Sequence, residues 1–132
     1  MGGRKMVVKK TTFKLTESAL QFENLLLEEL EIPRTVFHRK MLKYFAENEI
    51  EVHPYLKITN YADPNFIKKE AVEQVYLDKK SKQILEDAMQ INECKSGAVL
   101  FQALMSYCIA IAPEVLGKKD MKILFPDEKD EE

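Results

Sequence analysis

From Lys9 onward the run KKTTFKLTES puts Phe13 and Leu15 on one side of an extended chain and Lys10, Thr12 and Lys14 on the other. Successive side chains of a strand point to opposite faces, so this period of two predicts a half-buried strand. The period then lengthens. Ala19, Phe22, Leu26 and Leu30 recur at spacings of three and four, supported by Leu25 and Leu27, and predict a helix to about Leu30 with Glu23, Glu28 and Glu29 on its outer side. Thr16, Glu17 or Ser18 supplies the oxygen that caps its first free amides. Glu31-Ile32-Pro33-Arg34-Thr35 breaks the pattern, because Pro33 disfavours a helical conformation at Ile32 yet suits the first turn of a new helix. That helix buries Val36, Phe37, Met41, Leu42 and Phe45 and shows Arg39, Lys40 and Lys43 to water.

The same order returns 62 residues later. Val75 and Leu77 match Phe13 and Leu15; Ile84, Ala88 and Met89 match Phe22, Leu26 and Leu27. After the break Glu93-Cys94-Lys95-Ser96-Gly97, the residues Ala98, Val99, Ala103, Leu104 and Tyr107 match the second helix's apolar face. Identity is near chance, confined to Leu15/Leu77, Gln21/Gln83, Glu31/Glu93 and Leu42/Leu104, so the repeat rests on pattern. Residues 46 to 71 join the copies through His53-Pro54, Asp63-Pro64 and a short helix-like stretch, NFIKKEAV. The chain thus divides into a basic arm (1–8), a first strand-helix-helix unit (9–46), a connector (47–71), a second unit (72–112) sharing one core with the first, and an acidic tail (113–132). The expected fold class is mainly α with a short antiparallel two-stranded β-ribbon.

Charge sharpens this picture through its distribution, since the net value of −2 gives no general electrostatic case for binding nucleic acid. Arg4 to Lys14 carries five basic residues and no acid, whereas Asp127 to Glu132 carries five acids against Lys129. The N-terminal end is the anion binder. Cys94 and Cys108 lie inside helical patterns without framework spacing and read as reduced thiols of a cytoplasmic protein. No secretory leader is visible at the N-terminus, and the apolar stretch Ala98 to Ala112 reads as too short for a membrane span.

Strand, capped helix, short break with a basic residue and Ser or Thr, then a second amphipathic helix: the segment FKLTESALQFENLLLEELEIPRTVFHRKMLKYF resembles the ribbon-helix-helix family of β-ribbon DNA readers (MetJ/Arc type) along its whole length. VYLDKKSKQILEDAMQINECKSGAVLFQALMSY is similar, with a less typical strand. The resemblance implies that two units intertwine, usually as a homodimer; one chain carrying both implies a tandem pseudo-dimer. It further implies that Lys10, Thr12 and Lys14, with Gln74 and Tyr76 in copy two, face base edges of double-stranded DNA in the major groove, where Lys donates to guanine and Gln pairs with adenine. Arg34 and Thr35, then Lys95, Ser96 and Gly97, stand where the family anchors phosphates at the start of its second helix. The acids Glu73 and Asp78 argue against DNA contact by the second strand.

The implied role is a transcriptional regulator or repressor of bacterial, phage, plasmid or archaeal type. The competing reading is an antitoxin-like or assembly module that holds a partner protein through Leu116 to Glu132. No Gly-rich phosphate loop or metal motif is present, so neither catalysis nor a cofactor is expected. His38 and His53 read as packing or surface residues, without a Cys or His at ligand spacing. The helix at 98–112 is apolar almost all round and must be covered, either by the connector or tail or by a second chain in a homodimer.

Overall fold

The structure, a computed structural model, describes residues 9–124, with side chains as far as Gly117. The elements are β1 (Lys9–Leu15), α1 (Glu17–Leu30), α2 (Arg34–Glu47), β2 (Ala71–Leu77), α3 (Lys79–Asn92) and α4 (Ser96–Leu124), with a 3-10 turn at Pro54–Lys57 in the connector. The protein is mainly helical, with four helices and one two-stranded antiparallel sheet among the described residues. The strand and the helix after it recur with the same lengths 62 positions on, and α2 and α4 start 62 apart.

Local chemistry sets these bounds. The Thr16 side chain accepts from the Ala19 amide, and the Asp78 side chain accepts from the Ser81 amide, so α1 and α3 are capped by equivalent residues in equivalent ways. Each helix then ends on a glutamate in the left-handed region, Glu31 at φ 55° and Glu93 at φ 52°. Such a residue closes the last turn and redirects the chain, and Arg34 and Ser96 open the next helices three residues later.

β1 and β2 pair so that Thr12 faces Gln74, Lys10 faces Tyr76 and Lys14 faces Val72. Burial alternates along both strands: Phe13, Leu15, Ala71, Val75 and Leu77 turn inward, as the apolar pattern predicts. A lone two-stranded ribbon is only marginally stable, and here its inner face rests on the helices. Helix α4 is the hub, packing against α1, α2, α3 and β1. Its Val99, Leu100, Ala103, Leu104, Cys108 and Ala112 have no exposed surface. The cover for this all-round apolar helix is therefore largely the chain's own, with Ile109 54% exposed on its far side.

Three boundaries differ from the sequence reading. NFIKKEAV is not helical, because the Asp63 side chain takes the Asn65 amide in a turn that also joins the Phe66 amide to the Asp63 carbonyl, and Ala71 and Val72 are already paired with Leu15 and Lys14. Ala71 accordingly belongs to the strand and not to the connector. Helix α4 passes through Ala112 and Pro113 to a kink at Gly117, φ 82°, beyond the limit set for the second unit. The 22 residues Ser96–Gly117 are long and apolar enough, by composition, to cross a membrane, unlike the shorter stretch read from the sequence; in this fold one face of that segment is buried in the core. The basic arm at 1–8 and the acidic end of the tail lie outside the described residues.

Truncating the hub and truncating the rim should differ sharply. Leu104→Ala should cost about 2 to 5 kcal/mol, because the removed methyl groups leave the core and a residual cavity takes their place. Ile91→Ala, at a residue 78% exposed on α3, should stay within about 0.5 kcal/mol. Urea unfolding midpoints measure both, and similar losses would contradict this packing.

Candidate nucleic-acid interface

Period-two geometry places Lys10, Thr12 and Lys14 on the outward face of β1, and Val72, Gln74 and Tyr76 on the outward face of β2; all six are exposed. The five residues assigned to base contact from the sequence thus share one surface. Tyr76 Oη donates to Gln74 Oε1 at 3.4 Å, which links the two outward polar groups of β2. Glu73 does not share that surface. It points inward at 6% exposure, so the acid that argued against DNA contact by β2 is absent from the ribbon's outer face. Asp78 is occupied as the α3 cap and lies 3.5 Å from Arg39 Nε; the Ser81 amide and hydroxyl, with Arg39, hold its carboxyl below the usual range.

The connector adds something the sequence reading missed. Beside the Lys14 end of the ribbon, Lys68, Lys69, Tyr61 and Phe66 join Lys14 in lining an open groove of about 500 Å³. Tyr61 is 82% exposed with its ring edge-on to Phe66, and Lys69 Nζ lies 4.9 Å from the Phe66 ring centroid. Burial, then the neighbouring charge of Lys14, lowers the Lys69 pKa. Interleaved lysines and aromatic rings were present in the sequence from Tyr61 to Lys69, but only the turn at Asp63–Phe66 brings them to the ribbon.

At the helix starts, Lys95 is exposed and Thr35, Ser96 and Gly97 are half-buried. Arg34 is committed elsewhere. Its Nη1 lies 3.1 Å from Glu23 Oε1 and 3.3 Å from Glu73 Oε1, its Nη2 donates to Asn24 Oδ1, and its side chain keeps 39% exposure. Those carboxylates belong to a buried ionic cluster. His38 Nε2 lies 3.2 Å from Glu23 Oε2 and also meets Glu73 Oε2, while its Nδ1 is buried without a hydrogen-bond partner among the described residues. Glu23, expected on the solvated face of α1, is 0% exposed, and His38 is 1% exposed. The broad apolar stripe of α1 leaves Glu23 facing α2 and β2, where His38 hydrogen-bonds its Oε2 and the Arg34 guanidinium is ion-paired with its Oε1. Its signal in the sequence was faint, since acid at this helical spacing ordinarily reads as solvated. His53, by contrast, is exposed and takes the Tyr55 amide on Nδ1.

Sixty-two residues away from Glu23, His38 and Glu73 stand Leu85, Leu100 and Thr11. Leu85 and Leu100 are buried apolar residues, so the repeated architecture does not require charge at these positions. Burial pushes the Glu23 carboxyl up to about 7 against the hydrogen bond from His38, with Glu73 adding to the rise. Burial alone would lower the pKa of His38, but its bonds to Glu23 and Glu73 and their charges raise it. Glu73 is pushed up by burial and, more strongly, held down by hydrogen bonds with His38 and Glu23 and by the charges of His38 and Arg34.

No family model, curated protein or solved structure matches this chain.

The cluster gives stability a definite pH dependence. Glu23 and His38 have raised folded values, so the folded chain holds more protons than the unfolded one and stability falls with rising pH, from about 4.5 to 7 for Glu23 and above 6.5 for His38. The lowered Glu73 works oppositely, its contribution present above 4.5 and lost as pH falls through its folded value. In chelator-containing buffer the melting temperature should drop from about pH 5.5 to about pH 8.5, measured relative to Glu23→Leu/His38→Leu/Glu73→Thr, which carries the other half's residues. Parallel profiles for the two proteins would rule this out.

Proposed function

We propose that this protein is a DNA-binding transcriptional regulator in which one chain builds a tandem ribbon-helix-helix pseudo-dimer and inserts its two-stranded ribbon into the major groove. The observation that carries the reading is the outward face of that ribbon, where Lys10, Thr12 and Lys14 lie directly across from Tyr76, Gln74 and Val72. Thr12 and Gln74 are equivalent positions in the 62-residue repeat and also face each other. A two-fold pseudo-axis between two repeated units would produce that pairing, and the homodimeric members of the family have such an axis.

A strand pair fits the major groove, in which lysine donates to guanine O6 and N7, threonine bonds or touches a thymine methyl, and glutamine pairs with adenine. Phosphates would be met by Thr35, Lys95, Ser96 and Gly97 and by the exposed part of Arg34, while Lys68 and Lys69 extend the cationic surface past the ribbon end. A regulator of this prokaryotic or phage type works in the cytoplasm. The intrachain cover of α4 supports binding by single chains, with any homodimer limited to the strip around Ile109.

Because the two strands offer different chemistry, one chain should recognise an asymmetric element. Duplexes selected from a random pool and footprinted base by base test this. Lys14→Ala should cost about 1 to 3 kcal/mol at the bases it reads, and Gln74→Ala should relax preference at different bases. Removing residues 1–8 and replacing Lys10 and Lys14 by alanine should flatten the log-log salt slope by about 0.9 for every phosphate that is no longer neutralised. A perfect palindrome protected by one chain, with both variants losing the same bases, would refute the pseudo-dimer; absence of any selected or salt-dependent duplex binding would refute the function.

A further inference from the structure

We propose that Glu23, His38 and Glu73 form a binding site for one divalent transition-metal ion of the zinc class. Three elements, α1, α2 and β2, each send one side chain to the same place, and the donor atoms lie within 4.8 Å of one another. His38 Nε2 meets Oε2 of both carboxylates, while Arg34 stands on Oε1 of both. The inner oxygens and the imidazole nitrogen are thus three electron-pair donors converging on one point, and a single N–H on Nε2 cannot align with both acceptors.

An ion satisfies all three donors at once. Donors about 2.0 to 2.2 Å from a tetrahedral zinc ion stand a little over 3 Å apart; Glu23 Oε2 and His38 Nε2 are already at that spacing, 3.2 Å, whereas the closer contact of His38 Nε2 with Glu73 Oε2 has to open for the ion to enter. The mixed donor set selects the class, since imidazole with carboxylate suits zinc or its first-row neighbours, whereas calcium and magnesium take oxygen alone. Arg34 keeps its place in this arrangement, because its bonds to the outer oxygens orient both carboxylates as the supporting partners of metal ligands do. His38 and Glu73 also line an open groove of about 420 Å³ that includes Asn24, Gln74 and Tyr76, which gives the ion an entry path and a side for a water ligand.

The other half of the fold supplies the contrast. At the positions 62 residues away it has Leu85, Leu100 and Thr11, and well-packed apolar residues commonly replace a buried ionic group without loss of stability. The charged triad is therefore an addition to the architecture. Glu73 sits between Val72 and Gln74, so on the DNA-binding reading the ion would tie the reading strand to α1 and α2 and favour the groove-competent ribbon. That coupling rests on the proposed function; the metal site does not.

The test uses the full chain without DNA, stripped with chelator and titrated with Zn²⁺ in a calorimeter, with bound metal counted by elemental analysis after dialysis. Wild type should hold one ion per chain and melt at higher temperature when loaded. Glu23→Leu/His38→Leu/Glu73→Thr, checked for native circular dichroism, should lose the stoichiometric ion, and Glu73→Gln, which keeps the side chain's shape, should weaken binding at least tenfold. No bound zinc in wild type, or undiminished affinity in Glu73→Gln or in the folded triple variant, overturns the site. DNA binding enters none of these readings, so failure of the metal site and failure of the regulator reading are separate results.

Discussion

Neither strand of this protein satisfies its backbone or buries its apolar face alone, and in sequence two helices and a connector separate them. Their antiparallel pairing, Lys9 with Leu77 through Leu15 with Ala71, is the constraint on which the rest depends. It brings Phe13, Leu15, Val75 and Leu77 onto one inner face, and that face, with α1 to α3, encloses α4. It also fixes the register that sets three outward residues of each strand side by side. A slip of one residue would turn the lysines inward and the leucines out.

Within that frame the two halves differ most where ionisable residues are buried. Glu23, His38 and Glu73 bind the first unit's helices to the second unit's strand, with Arg34 closing the cluster at the surface. The half that has Leu85, Leu100 and Thr11 in their place shows that packing could have solved the same problem without charge. Taking carboxylates out of water is costly unless each is paired and hydrogen-bonded. The pairing achieved here, on a strand whose neighbouring residues face outward, couples the charge state of the interior to the ribbon.

Most of the backbone plan was legible because it rests on periodicity. Phe13 and Leu15 alternate with lysine and threonine, Ala19 to Leu30 keep helical spacing, and Thr16 caps as its chemistry predicts. The repeat was legible from apolar positions even with four identities, since burial constrains hydrophobicity more tightly than identity. Three features were hidden for identifiable reasons. NFIKKEAV has helical spacing, but the Asp63 turn and strand pairing win the competition for its backbone. Glu23 has the composition of a solvated face, and only the approach of α2 and β2 buries it. The groove of Lys14, Tyr61, Phe66 and Lys69 depends on how the connector folds back, which no local pattern encodes.

The central claim is that the outward face of a ribbon made within one chain is what meets DNA. Amide chemical shifts of uniformly isotope-labelled protein, followed as duplex is added at low salt, test it most directly. The account predicts that the changes concentrate at Lys10, Thr12 and Lys14 and at Gln74 and Tyr76 together, with a further set at the starts of α2 and α4, while the exposed side of α3 around Ile91 stays silent. Changes confined to α3, or to β1 without β2, would contradict it.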